Sequence, residues 1–341
     1  MLVILSPLGL LGWPVARLVW ALVNVGLSVA IPLLAMRRVS VRTSRVFSAA
    51  LLLVFMAMLP TRNAIGNGQT TLLVRTAILL ALLAAAKRSR WWAGLFLGLA
   101  LSKFSLTLPV ALWFLLSGLG PSLVLAGAAQ LLGLLILALA SESSPIRIFV
   151  EYYLIASHHA GMLGDLDISS LGSHMGIARI PQWMLLGVVF LLTAVLVAWR
   201  KQSTRGPRRA EDLAGQDALI ACSLLIHGAL VLIYHRAYDG VVVILLPVSL
   251  FGVWTSVRQS GGRPASLYLV GLLALATVGV FLLPGEGMAR IWPAWSAIYR
   301  VALGGAALLG WAASALVQVR SNALPRAPGP TSLGSSQMCL P

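Results

Sequence analysis

Long apolar runs alternate with short polar breaks along almost the whole chain. Crossing a hydrocarbon core of ~30 Å takes ~20 residues of helix, fewer where a helix is broken or buried among neighbours. Seven runs are well sized for this: 15–36, 121–140, 182–199, 218–234, 240–257, 266–283 and 300–319. Four are shorter: 46–59, 70–86, 91–102 and 104–119. The pattern predicts an all-α, polytopic integral membrane protein with about ten or eleven transmembrane or partly spanning helices.

The breaks carry an orientation signal. Basic residues gather as Arg37/Arg38/Arg42/Arg45, Lys87/Arg88/Arg90, Arg200/Lys201/Arg205/Arg208/Arg209, Arg258/Arg263 and Arg320/Arg326, which hold 16 of the 25 Lys and Arg. If every run crosses once, all five clusters fall on one side. The positive-inside rule assigns that side to the cytoplasm and predicts a multi-pass protein of the plasma (inner) membrane. The opposite face receives 61–69, the neighbourhood of Lys103, 141–181, the turn 234–239 and 284–299. These segments hold six of the nine acids, namely Glu142, Glu151, Asp165, Asp167, Asp239 and Glu286. Chemistry is therefore expected on that outer face.

Residues 1–319 read as one transmembrane domain. Its longest outer loop, 141–181, opens with SPIRIFVEYYLIASHH, where apolar residues recur at helical spacing; this suits an amphipathic helix lying on the membrane surface, or a plain connector. Residues 320–341 are rich in Pro, Ser and Gly and read as a disordered cytoplasmic tail. The first residues, MLVILSPLGLLGWP, lack the basic start and small-residue cleavage site of a signal peptide and read as mature chain.

Composition agrees. Of 341 residues, 59% are hydrophobic and 10% charged, and the mean hydropathy is +0.92, against about 25% charged residues in a soluble domain. The net charge of +16 would suit nucleic acid only if it formed a basic face; scattered between apolar runs, it does not, and no nucleic-acid partner is expected. Cys222 lies in an apolar run and Cys339 in the tail, so both are expected as thiols.

Polar groups at membrane depth are costly, and each is a candidate for function. Lys103 sits in LALSKFSLTLP between two short runs, where a broken helix pair would hold its ammonium just under the outer interface. It suits an anionic phosphate there, or a lysine snorkelling to the interface. The loop TRNAIGNGQ concentrates Arg62, Asn63, Asn67 and Gln69 beside Gly66 and Gly68, a pattern shared with ordinary Asn-Gly turns. YHRAYD places His235, Arg236, Tyr238 and Asp239 in one short turn. Arg236 could make a bidentate contact with phosphate, and Asp239 could accept a sugar hydroxyl or orient Arg236. His158, His159 and His174 share the long loop with Asp165 and Asp167, but no metal-ligand spacing joins them, and no metal or other cofactor is expected. Gly94 and Gly98 form a GxxxG, a sign of close helix packing.

Several of these stretches together resemble glycosyltransferase family 87 of the GT-C superfamily, polytopic enzymes that use polyprenyl-phosphate sugars. SPLGLLGWPVARLVWALVN is similar to the family's segment after its first outer loop. GNGQTTLLVRTAILLALLAAAKRSRWWAGLFLGLALSKFSLTLP is similar to its Gly-Gln helix, basic turn, Ala-Gly-rich helix and Lys. The outer loop before Arg179 and YHRAYDGVVVILLP complete the likeness. It implies that Gly68, Gln69, Lys103, His235 and Arg236 surround a lipid-phosphate and sugar pocket, with Asn67 and Asp239 beside them. It also implies transfer of a hexose, mannose for instance, from a polyprenyl-phosphate donor to a glycan or glycolipid acceptor at the outer face of a bacterial envelope.

One departure stands out. The superfamily places a catalytic Asp in its first outer loop, whereas here no Asp or Glu precedes Glu142. The resemblance thus implies that an N-terminal helix and loop are missing, which leaves the catalytic base unassigned. Asp239, Asp165, Asp167 and Glu151 are possible substitutes, and spacing selects none of them. A lipid-linked sugar transporter or flippase, or an inactive truncated homologue, are the rival readings.

Overall fold

The computed structural model describes residues 5–37, 45–160, 190–195, 216–232, 235–245, 265–283 and 294–323 as continuous stretches, with isolated positions between them. Regular structure among the described residues is helical throughout. Among the described residues, four stretches have the length and apolar composition of a membrane span: Trp13–Met36, Arg90–Leu116, Gly120–Ala140 and Trp295–Ala313. Arg45–Ala57 with Leu59–Gly66 makes a fifth, bent by 59°. Thr71–Ala86 and Cys222–Leu232 are apolar but shorter. The chain is an all-α polytopic membrane protein, and outward side chains such as Leu22, Leu53, Leu131 and Leu139 present the apolar surface that lipid requires.

Helix α1 (Trp13–Met36) starts on Pro14, whose missing N–H would be unsatisfied there anyway. Helix α2 (Arg45–Ala57) stops where Met58 turns extended (ψ 135°), and Pro60 then opens α3 (Leu59–Gly66). Much of the expected loop 61–69 is therefore helical; its Asn-Gly turn begins only beyond α3. Helix α4 (Thr71–Ala86) is the centre of the bundle, buried on nearly all sides, as an evenly apolar helix should be. The Trp20 indole donates to the Gly68 carbonyl at 2.8 Å, and α1 and α4 lie against each other from that point.

The next stretch sets the position of Lys103. Helix α5 (Arg90–Ala100) leads through a 3-10 turn at Leu101–Lys103 into α6 (Phe104–Leu116), and α7 (Gly120–Ala140) follows. Ser122 Oγ donates to the Arg90 carbonyl at 3.2 Å, and Gln130 Nε2 donates to the Gly98 carbonyl. A Cβ built on Gly94 would lie 2.6 Å from Leu125 Cβ, and one on Gly98 would lie 3.0 Å from Ala129 Cβ. Contacts that advance together along both helices make α5 and α7 parallel, so α6 runs antiparallel to both.

Thr107 Oγ1 confirms the reversal by donating to the Ala100 carbonyl at 2.7 Å. A straight helix, rising ~1.5 Å per residue, would hold that pair ~10 Å apart. Arg90–Leu116 is thus a hairpin with arms of 11 and 13 residues, matching the two short runs meeting at Lys103. Arms of ~16–20 Å reach only part-way across a ~30 Å core, whereas α7, with 21 residues, crosses it.

The turns are built alike. Gln69 N–H reaches Ala64 O at 2.8 Å, Ser89 N–H reaches Ala84 O at 2.9 Å, and Leu119 N–H reaches Phe114 O at 2.9 Å. These six-residue closures cap α3, α4 and α6, with Gly68, Arg88 and Gly118 left-handed at φ 62°, 56° and 80°.

Helix α8 (Pro145–Ala160) occupies the amphipathic stretch of the long loop, with Ile146, Phe149 and Tyr153 exposed along it. Helices α9 (Gln216–Leu232), α10 (Ala265–Leu282) and α11 (Trp295–Ala323) form the second half, where Gly310 lies against His227 and Thr277. Helix α11 continues past its expected end at Val319. A 3-10 segment, Ala237–Ile244, follows α9 and folds inward against α3: a Cβ on Gly240 would lie 3.2 Å from Pro60 and 2.7 Å from Phe281.

Candidate functional site

The hairpin tip, the start of α4 and the inward 3-10 segment meet at one point. Lys103 Nζ forms an ion pair with Asp239 Oδ1, although 136 residues separate them. The same ammonium donates to Thr71 Oγ1 at 2.8 Å, and Thr71 Oγ1 donates to Asp239 Oδ1 at 3.0 Å. Lys103 Nζ also stands 4.8 Å from the centre of the Tyr238 ring, at cation–π distance. The side chains of Lys103 and Asp239 are 22% and 5% exposed, so this pair is largely withdrawn from solvent.

Each member is positioned by backbone rather than by chance contact. Lys103 is the residue on which the hairpin reverses, with φ −124° and ψ 75° between two helical arms. Thr71 opens α4 directly after the turn that Gly68 makes possible. Asp239 and Tyr238 lie in the 3-10 segment, where the Asp239 N–H donates to the Arg236 carbonyl at 2.9 Å. That turn holds Arg236, which is half-buried, and His235, which is 1% exposed, at the margin of the cluster. The long segment after α8 reaches the same margin, since Leu166 N–H donates to the His235 carbonyl at 3.4 Å.

Of the residues singled out from sequence, the structure joins Lys103 to Asp239 and sets His235 and Arg236 beside them. Gly68 is tied to Trp20, and Gln69 lies two residues ahead of Thr71, whereas Asn67 is exposed on the surface. Glu151 pairs with Arg147 at 2.9 Å on an exposed face of α8. His158 and His159 lie on α8 at positions whose side chains are not described, and Asp165, Asp167 and His174 lie outside the described residues. Among the described residues, no three His, Cys, Asp or Glu side chains gather as a metal site.

Sequence reasoning passed over Thr71 and, above all, Arg75. Arg75 is 1% exposed at the heart of the bundle, and its Nε, Nη1 and Nη2 have no hydrogen-bond partner among the described residues. Its signal was present: it is the sole charge in the run 70–86, and a lone arginine in a membrane segment is a functional candidate by default. With Lys103 and Arg75 against Asp239, these three groups carry a surplus of one positive charge in a desolvated place. That arrangement can hold an anion and offers a carboxylate within hydrogen-bond reach of whatever the anion carries.

No curated protein and no solved structure matches the chain significantly. The sequence profile of glycosyltransferase family 87, however, matches residues 1–234, more than two thirds of the 341. Thr71, Arg75 and Lys103 fall within that match, and His235 to Asp239 begin where it ends. A polytopic helical chain with a buried cationic site and this profile belongs to glycosyltransferase family 87, and is a membrane glycosyltransferase.

Proposed function

We propose that the enzyme transfers a hexose, mannose being the expected one, from a polyprenyl-phosphate donor to a glycan or glycolipid acceptor, on the face of the plasma membrane away from the basic clusters. The observation that carries this reading is Lys103: an ammonium held within membrane depth at a hairpin tip, amid Thr71, Asp239 and Tyr238. A lipid-borne phosphate brings its negative charge to that depth, where a poorly hydrated cation attracts it strongly.

In the transfer, the glycosidic bond to phosphate breaks and the phosphate leaves with the electron pair. Lys103 and Arg236 neutralise the charge that develops on it. The acceptor oxygen forms the new bond to the anomeric carbon and loses its proton to a carboxylate, a role that suits Asp239 beside Lys103. Gln69 and His235 supply hydrogen bonds to the sugar from the margin of the cluster.

Replacing Lys103 with Ala in the full chain tests this directly, with transfer followed from a synthetic polyprenyl-phosphate hexose in native membranes. A fall of about 100-fold or more is expected, as for removal of an electrostatic stabiliser. Undiminished transfer by the folded variant removes Lys103 from the mechanism.

A further inference from the structure

Arg75 lies four residues beyond Thr71 on α4, so the two share one face of the helix, a turn apart. Thr71 is bonded to Asp239, and Arg75 and Asp239 attract each other electrostatically. One carboxylate thus stands against two cations: Lys103, which holds it directly, and Arg75, whose guanidinium nitrogens are buried without hydrogen bonds among the described residues. The two differ in kind. Lysine carries a compact charge on a flexible four-carbon stem, whereas arginine presents a planar fork matched to a carboxylate. Lys103, partly exposed at a hairpin tip, can change partner; Arg75, buried in the central helix, is the fixed one.

This contrast bears on ligand binding. If Lys103 turned from Asp239 to a phosphate, the carboxylate would be left buried and unpaired, at a cost of several kcal/mol that would weaken binding. We propose that Arg75 is the exchange counter-ion of the site: as the phosphate of a lipid-linked donor takes Lys103, Asp239 passes from Lys103 to Arg75. The inference rests on the donor reading of Lys103 above. Arg75 is then a positioning residue, acting through Asp239 and Lys103 without touching the sugar. Before the donor arrives, the ion pair keeps the ammonium in place; afterwards, the new pair fixes the carboxylate beside the reacting centre.

The test is equilibrium binding of a short-chain polyprenyl monophosphate to the full chain in lipid nanodiscs. The wild type is expected to bind and Lys103→Met to lose binding. Arg75→Met should bind about tenfold or more weakly, a common size for coupling between charged groups. Adding Asp239→Asn to Arg75→Met should restore affinity to within about threefold of Asp239→Asn alone, because Lys103 then has no carboxylate to abandon. Arg75→Gln gives a second neutral variant with the same expectation, should Arg75→Met fold poorly. Wild-type affinity in the neutral variants overturns the proposal, as does weak binding that Asp239→Asn does not rescue. If the wild type itself ignores the lipid phosphate, or Lys103→Met binds it equally well, the donor reading falls instead.

Discussion

The seam between α5 and α7 and the polar cluster at Lys103 both hold the same hairpin in place, one along its first arm and the other at its tip. They do so by opposite means. At the seam, Gly94 and Gly98 offer no side chain, the backbones close up, and Gln130 adds a hydrogen bond to the Gly98 carbonyl. In lipid, where apolar surface gains little by changing apolar partners, such close packing and hydrogen bonding supply the attraction between helices. At the tip, contact depends on charge: a lysine and an aspartate 136 residues apart share a threonine hydroxyl. The seam tolerates only smallness, and the tip tolerates only balanced charge. One is a site of assembly and the other a site of reaction.

Mutations separate the two most sharply where charge balance is broken. Asp239→Leu should destabilise the protein by about 3 kcal/mol, because it strands the largely buried Lys103 beside Arg75, while Lys103→Met, which leaves Asp239 free to pass to Arg75, should lose less, and the double variant Lys103→Met/Asp239→Leu less than the sum of the two. Unfolding in detergent, followed by denaturant titration, checks this; additive losses would mean the two charges do not act as a pair.

Next in size is the seam. Gly94→Ala would set a methyl 2.6 Å from Leu125 Cβ and 2.7 Å from the Ser122 carbonyl, so a loss of about 2 kcal/mol is expected. Gly98→Ala, whose nearest contacts are 3.0–3.3 Å, should lose about half as much. Equal effects at the two glycines would contradict the tighter closure at Gly94. The smallest change is Gln130→Leu, which removes one interhelical hydrogen bond from an already packed seam and should cost about 0.6 kcal/mol. A much larger loss would show the seam to depend on polarity after all.

The same contrast explains what could be read in advance. Gly94 and Gly98 announce their packing because steric closeness needs only the local pattern. The break at Lys103 is visible as two runs each too short to cross. Pairing across 136 residues has no such signature: nothing near Lys103 points to Asp239, and Thr71 is one of several threonines. Arg75 was hidden for a different reason, since one charge hardly changes the hydropathy of a run that long. In 61–69 the Asn-Gly signal outweighs the start signal of Pro60, so the pattern reads as a loop where the chain forms a short helix.

The parallel seam also acts as a ruler. It clamps α5 at Gly98, five residues before Lys103, so the count between them sets both depth and direction of the ammonium. Each helical residue contributes ~1.5 Å of height and ~100° of rotation. A single added residue in that interval would leave every charge of the site present in the chain, yet turn Lys103 away from Asp239 and Thr71. The chemistry at the tip is thus written as much in the length of α5 as in the residues that perform it.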